Sequence, residues 1–238
     1  MAKDLKNKME AIVLAGGLGT RLRSVVSDVP KPMAPINGIP FLVYILEYLK
    51  KNGVDRVILS VGYKWKIIKD YFGERYGGMK LLYSVEDEPL GTGGAIKQAL
   101  NFGKDEDIFI VNGDTFFDVD FKSLAAEFKS KKADLMLSLK TMFNFDRYGC
   151  VETDEEKRVV SFTEKEYRNV GNINGGIYLA KKNLFEGFQL PDKFSFETFM
   201  REHLNHLAIY AFVSDGYFID IGIPEDYKKA NIELRDYL

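Results

Sequence analysis

The chain has little cysteine, little histidine and no surplus of positive charge, and each shortage removes a class of function. Cys150 is the single cysteine in 238 residues, which excludes an internal disulfide and any metal site built on several thiolates. The two histidines, His203 and His206, end a helical pattern where the helix dipole favours a cation, and two ligands do not complete a zinc site. Both are expected to be structural. Lys and Arg total 33 against 35 Asp and Glu, a net charge of −2, so the chain has no general attraction to nucleic acid or an anionic membrane. Any anion it binds has to be held locally. No apolar run approaches the roughly 18 residues that would suggest a membrane span. The opening MAKDLKNKME has no apolar signal segment, so a cytoplasmic protein is expected.

What is present is a series of short apolar runs at regular spacing. EAIVLA ends at Gly16 and Gly17 as a buried parallel strand would. PFLVYILEYLKKNG has apolar residues at 41, 42, 45, 46 and 49, a helical period, with Pro40 suited to the first turn and Gly53 to the stop. RVILSV, KLLYSV and DIFIV read as further strands; KWKIIKDYFGERYG, GGAIKQALNF and FKSLAAEFKSK read as the helices between them. This alternation implies right-handed crossovers onto a mostly parallel sheet, an α/β, doubly wound, Rossmann-like fold.

The second half differs. DLMLSLKTM, GCVETD, RVVSFTEK and NINGGIYLA come with few helices, which predicts antiparallel additions to a mixed sheet. SFETFMREHL and PEDYKKANIELRDY read as later helices. With no Ser- or Gly-rich linker, one domain over 1–238 is expected, with a flexible leader at 1–8. A homo-oligomer is compatible with this reading.

The stretch VLAGGLGTRLRSVVSDVPKPM carries the first chemistry. In open parallel sheets ligands bind beyond the carboxyl ends of the strands, where Gly16, Gly17 and Gly19 expose backbone N–H groups that can cradle a phosphate. A dinucleotide fingerprint fails, because Gly19 is followed by Thr20, Arg21 and Leu22, and the next strand ends without an acid for a ribose. A Walker loop fails as well, since Arg21 stands where G-K-[ST] would place its lysine.

The pattern L-A-G-G-x-G-T-R-L…P-K-P-M resembles that of the sugar-1-phosphate nucleotidyltransferases. Further matches follow in family order: PLGTGGA at 89–95, NGD at 112–114, YG at 148–149, TEK at 163–165, NGGIY at 174–178 and IDIG at 219–222. Among its members the chain looks most like the D-glycero-α-D-manno-heptose 1-phosphate guanylyltransferases of surface-polysaccharide biosynthesis. It ends soon after the last motif, without the C-terminal β-helix of some relatives, so a single reaction is expected.

The resemblance implies a nucleotidyltransferase fold, with a nucleotide-binding half at 9–133 and a sugar-binding half with C-terminal helices at 134–238. It also implies a reaction that joins a nucleoside triphosphate to a sugar 1-phosphate and releases pyrophosphate, with Mg2+ as cofactor. Arg21 and Lys31 would meet the triphosphate and the departing pyrophosphate, with Asp114 beside them in catalysis. Asp114 and Asp220 would hold the metal. Leu14, Ala15, Gly16, Gly17, Gly19, Thr20, Arg21, Gly91 and Thr92 would bind the nucleotide. Asn112, Tyr148, Gly149, Glu164, Lys165, Asn174 and Gly175 would bind the sugar phosphate, the backbone at Gly149 and Gly175 letting a pyranose approach.

Glu86 carries the base preference. Relatives that use uracil or thymine often have Gln near this position, whereas guanine offers two adjacent donors that a carboxylate accepts together. GTP is therefore expected. Two further function classes fit the same scaffold: a catalytically silent nucleotide-sugar sensor, which has no need of leaving-group cations, and a metal-dependent glycosyltransferase, for which Asp118-Val119-Asp120 supplies a D-x-D pattern. Cys150, Trp65 and Phe72 are expected to be packing residues, and Gly62 a turn former.

Overall fold

The computed structural model describes residues 9–17, 22, 26, 28–235 and 237–238. Strand β1 (Met9–Leu14) is buried on both faces, with Ala11 and Val13 in one core and Ile12 in the other. A 3-10 turn at Lys31–Met33 follows, then the short hairpin β2 (Pro35–Ile36) and β3 (Ile39–Pro40), and helix α1 (Phe41–Lys51). The first half continues through β4 (Val54–Val61), α2 (Trp65–Phe72), β5 (Arg75–Tyr76), β6 (Met79–Val85), α3 (Gly91–Leu100), β7 (Asp107–Asn112), β8 (Thr115–Phe117) and α4 (Phe121–Lys131). The second half supplies β9 (Leu135–Phe145), β10 (Val151–Thr153), β11 (Val159–Phe162), β12 (Arg168–Lys181), α5 (Phe196–Glu202), β13 (Ile209–Val213), β14 (Phe218–Asp220) and α6 (Pro224–Glu233).

Eight strands form one sheet in the order β13-β9-β12-β7-β1-β4-β6-β5. β1 lies parallel to both β4 and β7, so the chain leaves it in two directions and opens a switch point at its carboxyl end. Helices α1, α2 and α4 cover one face of the sheet, and α3 and α5 cover the other. The alternation persists in β7, where Phe109 and Val111 face the first core and Ile108 and Ile110 the second.

Local chemistry explains most boundaries. Helix α1 begins after Pro40, ends on Lys50 and Lys51, and stops at Gly53 with φ of 86°. Helix α4 starts at Asp120, whose carboxylate accepts from the backbone N–H groups of Lys122 and Ser123. Helix α2 is shorter than its sequence pattern predicts. It stops at Phe72, and the following ERYG leaves the helix to make β5 and a tight turn onto β6. Gly73, Gly77 and Gly78 all have positive φ, which no helix continues through.

The second half extends the sheet as expected, with β12 antiparallel to both β7 and β9. At the edge β13 runs parallel to β9, a pairing the sequence pattern does not signal. The GTGG of the PLGTGGA motif receives a segment from this half. Gly93 N donates to Phe194 O and Phe194 N donates to Leu90 O, each at 3.0 Å, and a Cβ on Gly94 would run into Asp192 O. Phe196 N donates to Thr92 Oγ1 at 2.9 Å, so the start of α5 is fastened to the start of α3.

Candidate active site

Strand β7 ends at Asn112, turns through Gly113 and Asp114, and re-emerges as β8, which pairs antiparallel with β14. Thr115 lies opposite Asp220 in that pair, and Ile221 N donates to Asp114 O at 3.0 Å. Two carboxylates far apart in sequence are thereby fixed at one end of the sheet. Lys31, in the 3-10 turn between two prolines, brings its Nζ 2.5 Å from Asp114 Oδ2 and 3.8 Å from Asp220 Oδ1. Its side chain is only 10% exposed.

The Asp220 carboxyl is pushed above the ordinary carboxylate range, first by burial and then by the negative charge of Asp114. Lys31 and the Gly222 N–H, which donates to Oδ1 at 2.6 Å, oppose that rise. One ammonium shared by two acids leaves a local surplus of negative charge. Among the described residues no group of three or more His, Cys, Asp or Glu could by itself hold a metal ion. Two carboxylates with hard oxygen donors suit magnesium, which keeps waters and takes substrate oxygens for the rest of its shell.

Beside this pair, along the carboxyl ends of β1, β4, β6 and β7, opens a cleft of about 690 Å³. It gathers Leu14, Gly16, Gly17, Glu86, Gly91 and Thr92 with Lys31, Asn112 and Asp114. Ala15 is buried behind it, its N–H donating to Ser60 O at 2.7 Å. Gly19, Thr20 and Arg21 lie outside the described residues. Glu86 is tied to the scaffold at both ends, since its N–H donates to Val61 O at 2.8 Å and its Oε2 accepts from Leu90 N at 3.0 Å. Its other carboxylate oxygen lies against Gly16, where a Cβ would collide with it.

The nucleotidyl transferase family model matches residues 10–236. The chain belongs to the nucleotidyl transferase family. It is 55% identical to a D-glycero-alpha-D-manno-heptose 1-phosphate guanylyltransferase of Aneurinibacillus thermoaerophilus over 97% of this chain and 100% of the relative. It is 54% identical to an enzyme of the same description from Campylobacter jejuni, over 92% of this chain and 97% of that one. The crystal structure of HddC from Yersinia pseudotuberculosis, complexed with GMP-PN, superposes with a TM-score of 0.83 at 42% identity, covering 94% of this chain and 98% of that one. The expected fold and enzyme class are those found.

Of the residues expected on the sugar side of this nucleotidyl transferase, Asn112 lines the 690 Å³ cleft, and Tyr148, Gly149, Glu164, Lys165, Asn174 and Gly175 lie outside it. Tyr148 packs edge-on against Phe218, two residues before Asp220, and Arg147 stacks over Tyr148 while its NH2 donates to Asp226 Oδ2 at 2.6 Å. Asn174 stabilises an irregular turn of β12, donating to Tyr178 Oη at 2.7 Å and accepting from Gly176 N at 3.0 Å. Glu164 and Lys165 are exposed, and Glu164 pairs with Arg201 at 2.9 Å.

Gly149 and Gly175 require a correction of reason. The space a side chain would need is occupied by Thr163 O at Gly149 and by the Phe117 ring at Gly175. Their close approaches are to protein.

Sequence reasoning also missed residues. Tyr63, Trp65 and Gly62 line the cleft; Trp65 also packs against the first core and Gly62 O accepts from Trp65 N at 3.1 Å in a turn, as expected of each, but their place in the cleft was not foreseen. The helical period carried no sign that the amino end of α2 overhangs the strand ends. Two other readings weaken. Asp120 of the D-x-D pattern caps α4, and Val119 between the acids is buried with its backbone bonded to Tyr48 Oη. His203 Nδ1 donates to Phe199 O at 2.9 Å and the ring stacks on Phe199, a structural role as expected.

Proposed function

We propose that this chain transfers a guanylyl group from GTP to D-glycero-α-D-manno-heptose 1-phosphate, forming a GDP-heptose and releasing pyrophosphate. The observation that carries the reading is the 55% identity along the full length of a relative that bears this description. The cleft supports it, because the glycine loop, Glu86, Lys31 and Asp114 meet in one place. We further propose a single domain acting in the cytoplasm, in the supply of activated heptose for surface polysaccharide.

A phosphate monoester has a second pKa near about 6, so at neutral pH the sugar phosphate is already a nucleophilic dianion and no general base is needed. The difficulty is to bring two polyanions together with the attacking and leaving oxygens in line at the α-phosphorus. Lys31, held at the cleft edge by flanking prolines, offers a cation that phosphate oxygens can share once the charge of its two acidic partners is taken up by magnesium. Arg21 takes the pyrophosphate end in this proposal, and the N–H groups of the glycine loop take phosphate oxygens. Asp114 and Asp220 would hold magnesium, which when bound neutralises phosphate charge and fixes the geometry of transfer. Asn112, Tyr148, Glu164, Lys165 and Asn174 remain the residues proposed for the sugar phosphate.

Glu86 is proposed to read the guanine edge. Glu86→Gln keeps an oxygen for Leu90 N but presents a donor beside an acceptor, so the GTP over UTP preference should fall at least tenfold. An unchanged preference would remove Glu86 from base selection. The proposal as a whole is tested by pyrophosphate release with each nucleoside triphosphate, magnesium and a panel of sugar 1-phosphates. Release should be fastest with GTP and the heptose 1-phosphate; no release under any pairing would sink it.

A further inference from the structure

Trp65 is the chain's one tryptophan and stands at the first position of α2. The inward stripe of that helix runs through residues 65, 68 and 72 at spacings of three and four. Ile68 and Phe72 are sealed in the core at 0% and 5% exposure. Trp65 is only partly buried, because the first turn of the helix projects over the carboxyl ends of the strands, and its side chain lines the cleft. The ring thus meets the first core with one part and the cleft with another.

The ring is held in place. Tyr83 lies 6.4 Å away between centroids with planes at 46°, and Lys69 Nζ sits 5.7 Å from the indole centroid. The same cleft is lined by Gly16, Gly17 and Gly62, which have no side chains, by Val85 and Pro89, which are apolar, and by the polar Ser60, Tyr63 and Asp87. A flat, weakly polar ligand group suits the apolar part of this wall. Glu86 lines the same cleft and provides hydrogen-bond acceptors.

We infer that Trp65 stacks on the nucleotide base and selects purines over pyrimidines. Glu86 then reads the edge of a base whose size and face Trp65 has already tested. A purine offers a larger π-surface than a pyrimidine, so the same indole discriminates by overlap. This inference rests on the guanylyl reading above.

Because the tryptophan is unique, its fluorescence reports on this wall alone. Titration of the wild-type protein with GDP should give a saturable change in emission, with UDP giving a smaller change at higher concentration. Trp65→Ala should weaken GDP binding, measured by calorimetry, roughly 10- to 100-fold and UDP binding only a few-fold. Trp65→Phe should keep most of the GDP affinity, and melting curves should confirm that both variants fold.

Equal losses for GDP and UDP in the alanine variant would overturn the inference. So would emission that ignores GDP while calorimetry records its binding to the wild-type protein. If the alanine variant does not fold, the wild-type titration and the phenylalanine variant still decide. A wild-type protein that stacks GDP yet never releases pyrophosphate from GTP would defeat the guanylyl reading and leave the stacking standing.

Discussion

At the scale of single residues, Lys31 is the most informative position. Its ammonium sits between Asp114 and Asp220, so removing it leaves two partly buried acids to repel each other. Lys31→Ala and Asp114→Ala should each lower turnover by about two or three orders of magnitude, with circular dichroism unchanged. Near wild-type turnover in either would refute its assigned role. The letters P-K-P and N-G-D already pointed to this pair, through resemblance. The contact itself was not legible, because nothing in a single sequence states which lysine reaches which aspartate. Gly149 and Gly175 illustrate the opposite failure: the letters matched and the physical reason did not, since an absent side chain looks the same whether protein or ligand fills its space.

At the scale of elements, Asp134 joins three strands. It precedes β9, its Oδ1 accepts from Lys181 Nζ at the end of β12 at 2.8 Å, and its Oδ2 accepts from Ala208 N before β13 at 2.8 Å. Burial alone would raise its carboxyl, but Lys181 and the Ala208 N–H outweigh that and hold it below the usual range. A depressed carboxylate contributes stability above its unfolded pKa and loses it as pH falls through the folded value. Asp134→Asn should therefore cost about 1–2 kcal/mol at neutral pH, a cost that shrinks as pH falls through the lowered pKa of Asp134. Urea melts over a descending pH series would check the trend.

Most of the elements that sequence reasoning found share one property, length, with the three-residue β10 within GCVETD an exception. β1, β4, β6, β7 and α1 carry enough apolar residues to display a period. β8 and β14 have three residues each, β5 has two, and a pattern that short is indistinguishable from chance. α2 was overrun because its apolar spacing continues through Tyr76, although Gly73 has already ended the helix.

At the scale of the whole molecule, the two halves are fastened where GTGG meets Asp192–Phe194. Three glycines within four residues weaken a helix by propensity alone, so their presence at the start of α3 is explained by what they receive. Gly94→Ala would drive a Cβ into Asp192 O and against Leu90, and should cost about 1–3 kcal/mol, read as a lower melting temperature. Unchanged melting would show that the segment yields easily. Its position beside the cleft makes a raised KM for both substrates the expected kinetic companion.

The β8–β14 pair joins two acids that are about a hundred residues apart along the chain, so their meeting carries the loop-closure cost of a long-range contact. A change that loosens this short pair would separate Asp220 from Asp114 and Lys31 without altering any of the three side chains.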